Sequence, residues 1–203
     1  MRVLVACEFS QTVTKEFRKK GHEAFSCDIV DCEFNDEWHI KGDARDILND
    51  GWDLMICHPP CTYLTVTGNK WMKPEYSDRF PDRPRQREEA VDFFKTLYEA
   101  NIPKIAVENP VGIMSSILRK PDQIIQPYQF GHSASKKTCL WLKNLPLLTP
   151  TNIVDKGEFI TYKSGKKMAK WYADAASNSP EERTKIRNRT FLGIAEAMAN
   201  QWS

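Results

Sequence analysis

Trp52-Asp-Leu-Met-Ile-Cys57 runs directly into His58-Pro59-Pro60-Cys61, and this junction decides the fold. The apolar run is continuous rather than alternating, as in a strand buried on both faces. Two prolines cannot donate to a ladder, so the strand must stop there. The same punctuation recurs on either side. Upstream, Val3–Cys7 is an apolar run, and Thr12–Lys20 follows with Val13 and Phe17 at i,i+4 and Gly21 as a helix stop. Ala24–Cys27 reads as a second strand with Asp28 at its C-terminal end. Downstream, Arg85–Asn101 carries Ala90, Val91, Phe94, Leu97 and Tyr98 on one side of a helix. Ile102–Val107 is another buried strand, ended by Glu108-Asn109-Pro110; Lys137–Leu142 is a further strand and Ile194–Trp202 a helix. Strands alternating with helices over short connections predict an α/β architecture, a mostly parallel twisted sheet with helices on both faces. Ligands bind such sheets beyond the carboxyl ends of the strands. Glu8, Asp28, the His58–Cys61 turn and Glu108-Asn109 all fall at those ends.

Composition narrows the class. The chain has 203 residues, enough for one domain with a sizeable core. With 41% hydrophobic and 28% charged residues, disordered, collagenous and coiled-coil readings fall away. No apolar run reaches the ~20 residues that cross a bilayer. Val3–Cys7 is stopped by Glu8, which argues against a signal peptide. The expectation is a cytoplasmic protein with no membrane association, whose six cysteines stay reduced. The net charge of +2 neither demands nor excludes nucleic acid, but its distribution is uneven. Met1–Asp50 holds seven basic against eleven acidic residues, and Thr151–Thr190 nine basic against five acidic. Lys166 and Lys167 lie in that basic stretch near Trp171 and Tyr172, and are read as phosphate contacts to DNA. A small basic insert is expected at about 149–180. Thr65–Pro84, with three prolines, reads as a mobile loop beside the site.

The diproline turn also carries the chemistry. Two fixed φ angles hold the chain extended and aim the next side chain rigidly. A cysteine aimed in this way at a sheet edge is a candidate nucleophile, since a thiolate needs a fixed and partly exposed setting. Cys7, Cys27, Cys57 and Cys139 lie in strand-like runs and read instead as small buried hydrophobes. Cys57 and Cys61 could ligate zinc with Cys27 and Cys32, but no C-x2-C pair exists, so no metal is expected. His58 reads as a turn residue.

Pro59-Pro60-Cys61 after one core strand and Val107-Glu108-Asn109-Pro110 at the end of the next resemble the DNA cytosine-C5 methyltransferases. The resemblance implies a Rossmann-like S-adenosylmethionine-dependent methyltransferase fold, with residues 1–203 as a single catalytic domain. It implies Cys61 as the thiol that attacks cytosine C6 and Glu108 as the carboxyl that binds the base at N3, protonated in a low-dielectric pocket. Pro59 and Asn109 would flank the base. Glu8-Phe9-Ser10 resembles the start of the family's first motif, against the adenine of the cofactor. Asp28, with Ile29 beside it, matches the acidic residue that holds the ribose hydroxyls. Asp43, followed by Ala44, matches a carboxylate that meets the adenine amine, and Pro60 would also face the cofactor. Lys136-Lys137-Thr138 resembles the stretch where the family carries an arginine motif, with Lys137 in place of its first arginine.

This chain departs from that pattern in two places. The loop Phe9–Thr14 has no glycine, where the family's loop lets backbone approach the cofactor closely. Only about thirty residues separate Leu148 from Ser179, where a target-recognition domain normally sits. Low sequence specificity, a homodimer that shares recognition, or a substrate smaller than duplex DNA would each answer to that. A pyrimidine nucleotide C5-modifying enzyme and a non-catalytic DNA-binding protein of the same fold stand as alternatives.

Overall fold

The computed structural model describes residues 1–203. Seven strands form one sheet: β1 (Arg2–Ala6), β2 (Glu23–Asp28), β3 (His39–Lys41), β4 (Leu54–Cys57), β5 (Lys104–Pro110), β6 (Gln123–Ile125) and β7 (Thr138–Lys143). Their order is β3-β2-β1-β4-β5-β7-β6, parallel from β3 to β5, with β7 antiparallel to both of its neighbours. This is the Rossmann-like order that the resemblance implies.

The continuous apolar strands divide their side chains between two cores, because successive residues face opposite sides of a sheet. Val3 and Val5 join α1 (Thr12–Lys19) and the C-terminal helix Leu192–Gln201 on one face. Leu4, Ala6, Met55 and Cys57 join Val91, Phe94 and Leu97 of α2 (Arg83–Tyr98) on the other. The connections run outward in opposite directions from β1 and β4, so the gap between those strands is a topological switch point, where such sheets bind ligands. Parallel register pairs Ala6 with Cys27 on one side and with Cys57 on the other, and Cys57 with Val107. The residues that follow each strand therefore share one edge.

Two stretches without a clear sequence pattern carry regular structure. In Thr65–Pro84, Val66–Met72 and Pro74–Tyr76 form tight 3-10 turns, and Trp71 contacts Tyr76 and Phe80 edge to face. After the short helix α3 (Met114–Ile117), the basic stretch contains a hairpin of β8 (Phe159–Thr161) and β9 (Lys167–Ala169). The helices α4 (Lys170–Asp174) and α5 (Pro180–Asn188) follow, so Leu192–Gln201 is α6. Ser179 caps α5 by accepting from the Glu182 N–H, with Pro180 in the first turn. No helix is long and apolar enough to cross a membrane.

Candidate active site

A cleft of about 880 Å³ opens at the shared strand edge. Its floor is built from the ends of β1, β2, β4 and β5, and each end holds its side chain by a different device.

At the end of β4, the ladder continues one step beyond the strand, the His58 N–H donating to Ala6 O at 3.0 Å. The diproline turn is then clamped from β5: Asn109, itself buried, donates from Nδ2 to Pro59 O at 2.8 Å. Cys61 O accepts the N–H groups of Leu64 and Thr65 at 3.0 and 3.1 Å. Behind this, the loop after β5 lies against the loop after Cys61 so closely that any Cβ on Gly112 would collide with Leu64 O. That close approach requires glycine. Asn109 thus holds the turn through its amide N–H, and Asn109, Pro59 and Pro60 line the cleft beside Cys61. The Cys61 thiol is half-buried, and burial pushes its pKa above the ordinary value while the Lys136 ammonium pulls it back.

Glu108, on β5, lines the same cleft as Cys61. Its Oε2 lies 3.0 Å from His58 Nδ1, with the two side chains only 11% and 14% exposed. Burial alone would raise the Glu108 pKa, but His58 and then Lys136 reverse this and hold the carboxyl below its ordinary value. Burial likewise opposes charge on His58, and Glu108, with Glu8 behind it, raises the imidazole above its ordinary value. Both directions favour a charged pair, a carboxylate on Glu108 beside an imidazolium on His58. His58 Nε2 is buried and has no hydrogen-bond partner.

The β1 end is closed by its own bonds. Glu8 is buried and caps α1, accepting from Val13 N at 2.6 Å, Thr14 N at 3.2 Å and Thr14 Oγ1 at 2.7 Å. Its carboxylate serves the helix N-terminus, where four N–H groups lack intrahelical acceptors. In the glycine-free loop, Cys7 and Gln11 take left-handed backbone with φ of 59° and 55°. Such a conformation costs roughly 1–2 kcal/mol for a residue with a Cβ. At Gln11 a fully buried side chain offsets it, donating to Ser26 Oγ at 3.0 Å and Asn35 O at 2.9 Å and accepting from Asn35 N at 2.7 Å. A hydrogen-bonded glutamine thus supplies a backbone turn of the kind glycine gives elsewhere. Phe9 and Ser10 line the cleft between these two residues.

At the β2 end, Asp28 accepts only backbone N–H groups of the following turn, from Val30 at 3.3 Å and from Ile29. Burial raises its pKa, and those bonds oppose the rise. Ile29 beside it is 73% exposed with its apolar face at the cleft mouth. An acceptor next to an open apolar surface fits what S-adenosylmethionine presents, ribose hydroxyls and a flat base. Asp43 and Ala44 line the same end, where the Asp43 carboxylate pairs with Arg45, with Nη2 at 2.5 Å and Nε at 3.0 Å.

The opposite wall is basic. Lys136 and Lys137 line the cleft, and Lys136 Nζ donates to Arg187 O at 3.1 Å. Arg183 and Arg187, at i,i+4 on α5, complete this wall. The Arg187 guanidinium stacks 3.7 Å from the Tyr172 ring centre and donates to Tyr172 O. Lys166 and Lys167 do not line the cleft: they sit exposed at the β8–β9 hairpin, where Lys167 pairs with Thr161. Sequence reasoning missed His58, Lys136 and the two arginines. The i,i+4 spacing of Arg183 and Arg187 was the available signal for the last pair.

No protein-family model matches the chain, and no curated protein does. Among solved structures the chain is similar to one from E. coli, described as a candidate DNA modification methyltransferase encoded within a prophage. The TM-score is 0.48 at 15% identity, covering 76% of this chain and 52% of the other, so this chain spans about half of that protein.

Proposed function

We propose that the chain is an S-adenosylmethionine-dependent DNA methyltransferase acting at cytosine C5, its catalytic unit spanning residues 1–203 with the basic insert at 149–180. The observation that carries this reading is that Cys61 and Glu108, from adjacent strand ends, open onto one cleft while the turn between them is clamped by Asn109. A fixed, half-exposed thiol opposite a carboxyl group suits nucleophilic addition to a planar electron-poor ring.

Cytosine C5 is a weak nucleophile, and addition of the Cys61 thiolate at C6 moves electron density to it. Burial raises the thiol pKa, and Lys136 offsets part of that rise in favour of the attacking form. Glu108 meets the N3 edge of the ring, and the diproline turn holds Sγ at one face of it. Asp28, Ile29 and Phe9 would hold S-adenosylmethionine, which when bound would supply the methyl group. Arg183, Arg187, Lys136 and Lys137 face the phosphates that flank an extruded nucleotide, and Lys166 and Lys167 contact backbone further along. With a two-stranded hairpin in place of a recognition domain, few base edges are read, and low sequence specificity follows.

DNA carrying 5-fluorocytosine tests this reading, because fluorine cannot leave C5 as a proton does. A covalent adduct that requires S-adenosylmethionine and disappears in Cys61→Ser is expected. Cofactor binding with no adduct would favour a binding protein of this fold, and an adduct on the mononucleotide alone a nucleotide-modifying enzyme.

A further inference from the structure

His58 has no part in the chemistry above, yet its ring is set into the cleft wall with only 14% of the side chain exposed. Nδ1 is 3.0 Å from Glu108 Oε2, while Nε2 is buried without a partner. A buried polar atom left unpaired costs about 1–3 kcal/mol and calls for a reason. Four charged groups bear on the ring: Glu108 from β5, Glu8 from the end of β1, Asp28 from the end of β2, and Lys136 from the loop before β7. Burial of the ring opposes its charge, and the pairing with Glu108, supported by Glu8, outweighs that burial and favours the doubly protonated imidazole. An ordinary turn histidine would point to water and make no such pair.

Resting on the cytosine reading, we propose that His58 and Glu108 hold between them the proton that N3 of the base takes up as Cys61 bonds to C6. In that step the thiolate electron pair forms the S–C6 bond, and the C5=C6 π pair shifts into the ring. His58 Nδ1 passes its proton to the Glu108 carboxylate, which delivers it to N3. The thiolate's negative charge is thereby balanced: the pair begins as imidazolium and carboxylate and ends as neutral imidazole and carboxylate. When Cys61 leaves C6, the N3 proton returns by the same route and the imidazolium is restored. His58 never touches the base. It is a positioning residue that fixes Glu108 and stores its proton, so addition does not wait for a proton from solvent.

Two measurements on the full chain test this. The first is the rate of adduct formation on 5-fluorocytosine duplex DNA with S-adenosylmethionine, across a pH series, for wild type, His58→Gln and Glu108→Gln. Glutamine keeps a donor toward Glu108 but has no proton to release. His58→Gln is expected to bind DNA as wild type does and to form adduct about 100-fold more slowly, the usual scale of positioned acid catalysis. The wild-type rate falls at high pH as the imidazolium is lost, and that descending limb should be absent in the variant. Adduct formation by His58→Gln at the wild-type rate with the same pH profile would overturn the proposal. The second measurement is nitrogen NMR of the histidines in the unmodified protein, which depends on no variant folding. His58 should be doubly protonated where His22, whose pKa burial lowers, is already neutral; a neutral His58 there would also overturn it. Absence of any wild-type adduct would instead remove the cytosine reading, and the proton-storage role with it.

Discussion

The two ends of the cleft treat polar groups in opposite ways. At the β1 end, Glu8 accepts three hydrogen bonds from α1, and Gln11 makes three of its own to Ser26 and Asn35. At the β4–β5 end, His58 Nε2 has no partner and the Cys61 thiol is free and half-buried. Capacity consumed internally shapes a loop, while capacity left open remains for a ligand. The first end is scaffold and the second is where chemistry can occur.

The sharpest way to break that contrast is to exchange one atom at the open end. Cys61→Ser should abolish adduct formation and lower methyl transfer on the order of 10³-fold or more. A half-exposed thiol has little packing to lose, so Tm should move by less than about 2 °C. A large Tm loss in a thermal melt would place Cys61 with the scaffold instead.

The reverse pattern is expected at the closed end. Glu8→Ala strips α1 of its cap and leaves buried N–H groups unsatisfied. A loss of about 2–3 kcal/mol is expected, which is roughly 5–10 °C in Tm for a chain of this size. The rate of Cys61 alkylation in the protein that remains folded should be close to wild type. A variant as stable as wild type would show that water replaces the carboxylate, and that Glu8 is free for a ligand.

How much of each end could be read beforehand follows the same division. Continuous apolar runs such as Val3–Cys7 and Leu54–Cys57 announce buried parallel strands, and prolines mark where β4 stops, so Cys61 and Glu108 were legible as edge residues. β3 and β6 have three residues each, too few to show a period. The role of Gln11 was hidden because a left-handed glutamine has no sequence signature and its partner Asn35 lies 24 positions away. His58 and Glu108 are 50 positions apart and become neighbours only through the pairing of Cys57 with Val107. Counting lysines located a basic stretch but not its direction, which is why Lys166 and Lys167 were chosen over Arg183 and Arg187.

Gln11 separates shape from bonding within the closed end. Gln11→Ala and Gln11→Gly both lose the side-chain bonds, but only alanine keeps the left-handed backbone cost. Denaturant melts should find the glycine variant more stable than the alanine variant by about 1 kcal/mol. Equal stability would mean that the loop relaxes once the side chain is gone.

The smallest effect lies in how the open end responds to pH, and its sign is fixed by the directions of two shifts. His58 is raised from an ordinary value of 6.5, so its stabilisation is complete below that pH and is lost as pH climbs through the folded value. Glu108 is lowered from an ordinary 4.5, so its contribution is complete above that pH and is lost as pH falls through the folded value. The Tm gap between wild type and His58→Gln should therefore be widest between pH 4.5 and 6.5 and should narrow on both sides. The pH-dependent part of the gap should be smaller than the Gln11 difference. A gap that stays constant from acid to alkaline pH would mean that the pair holds no charge, and the open end would then differ from the closed one in packing alone.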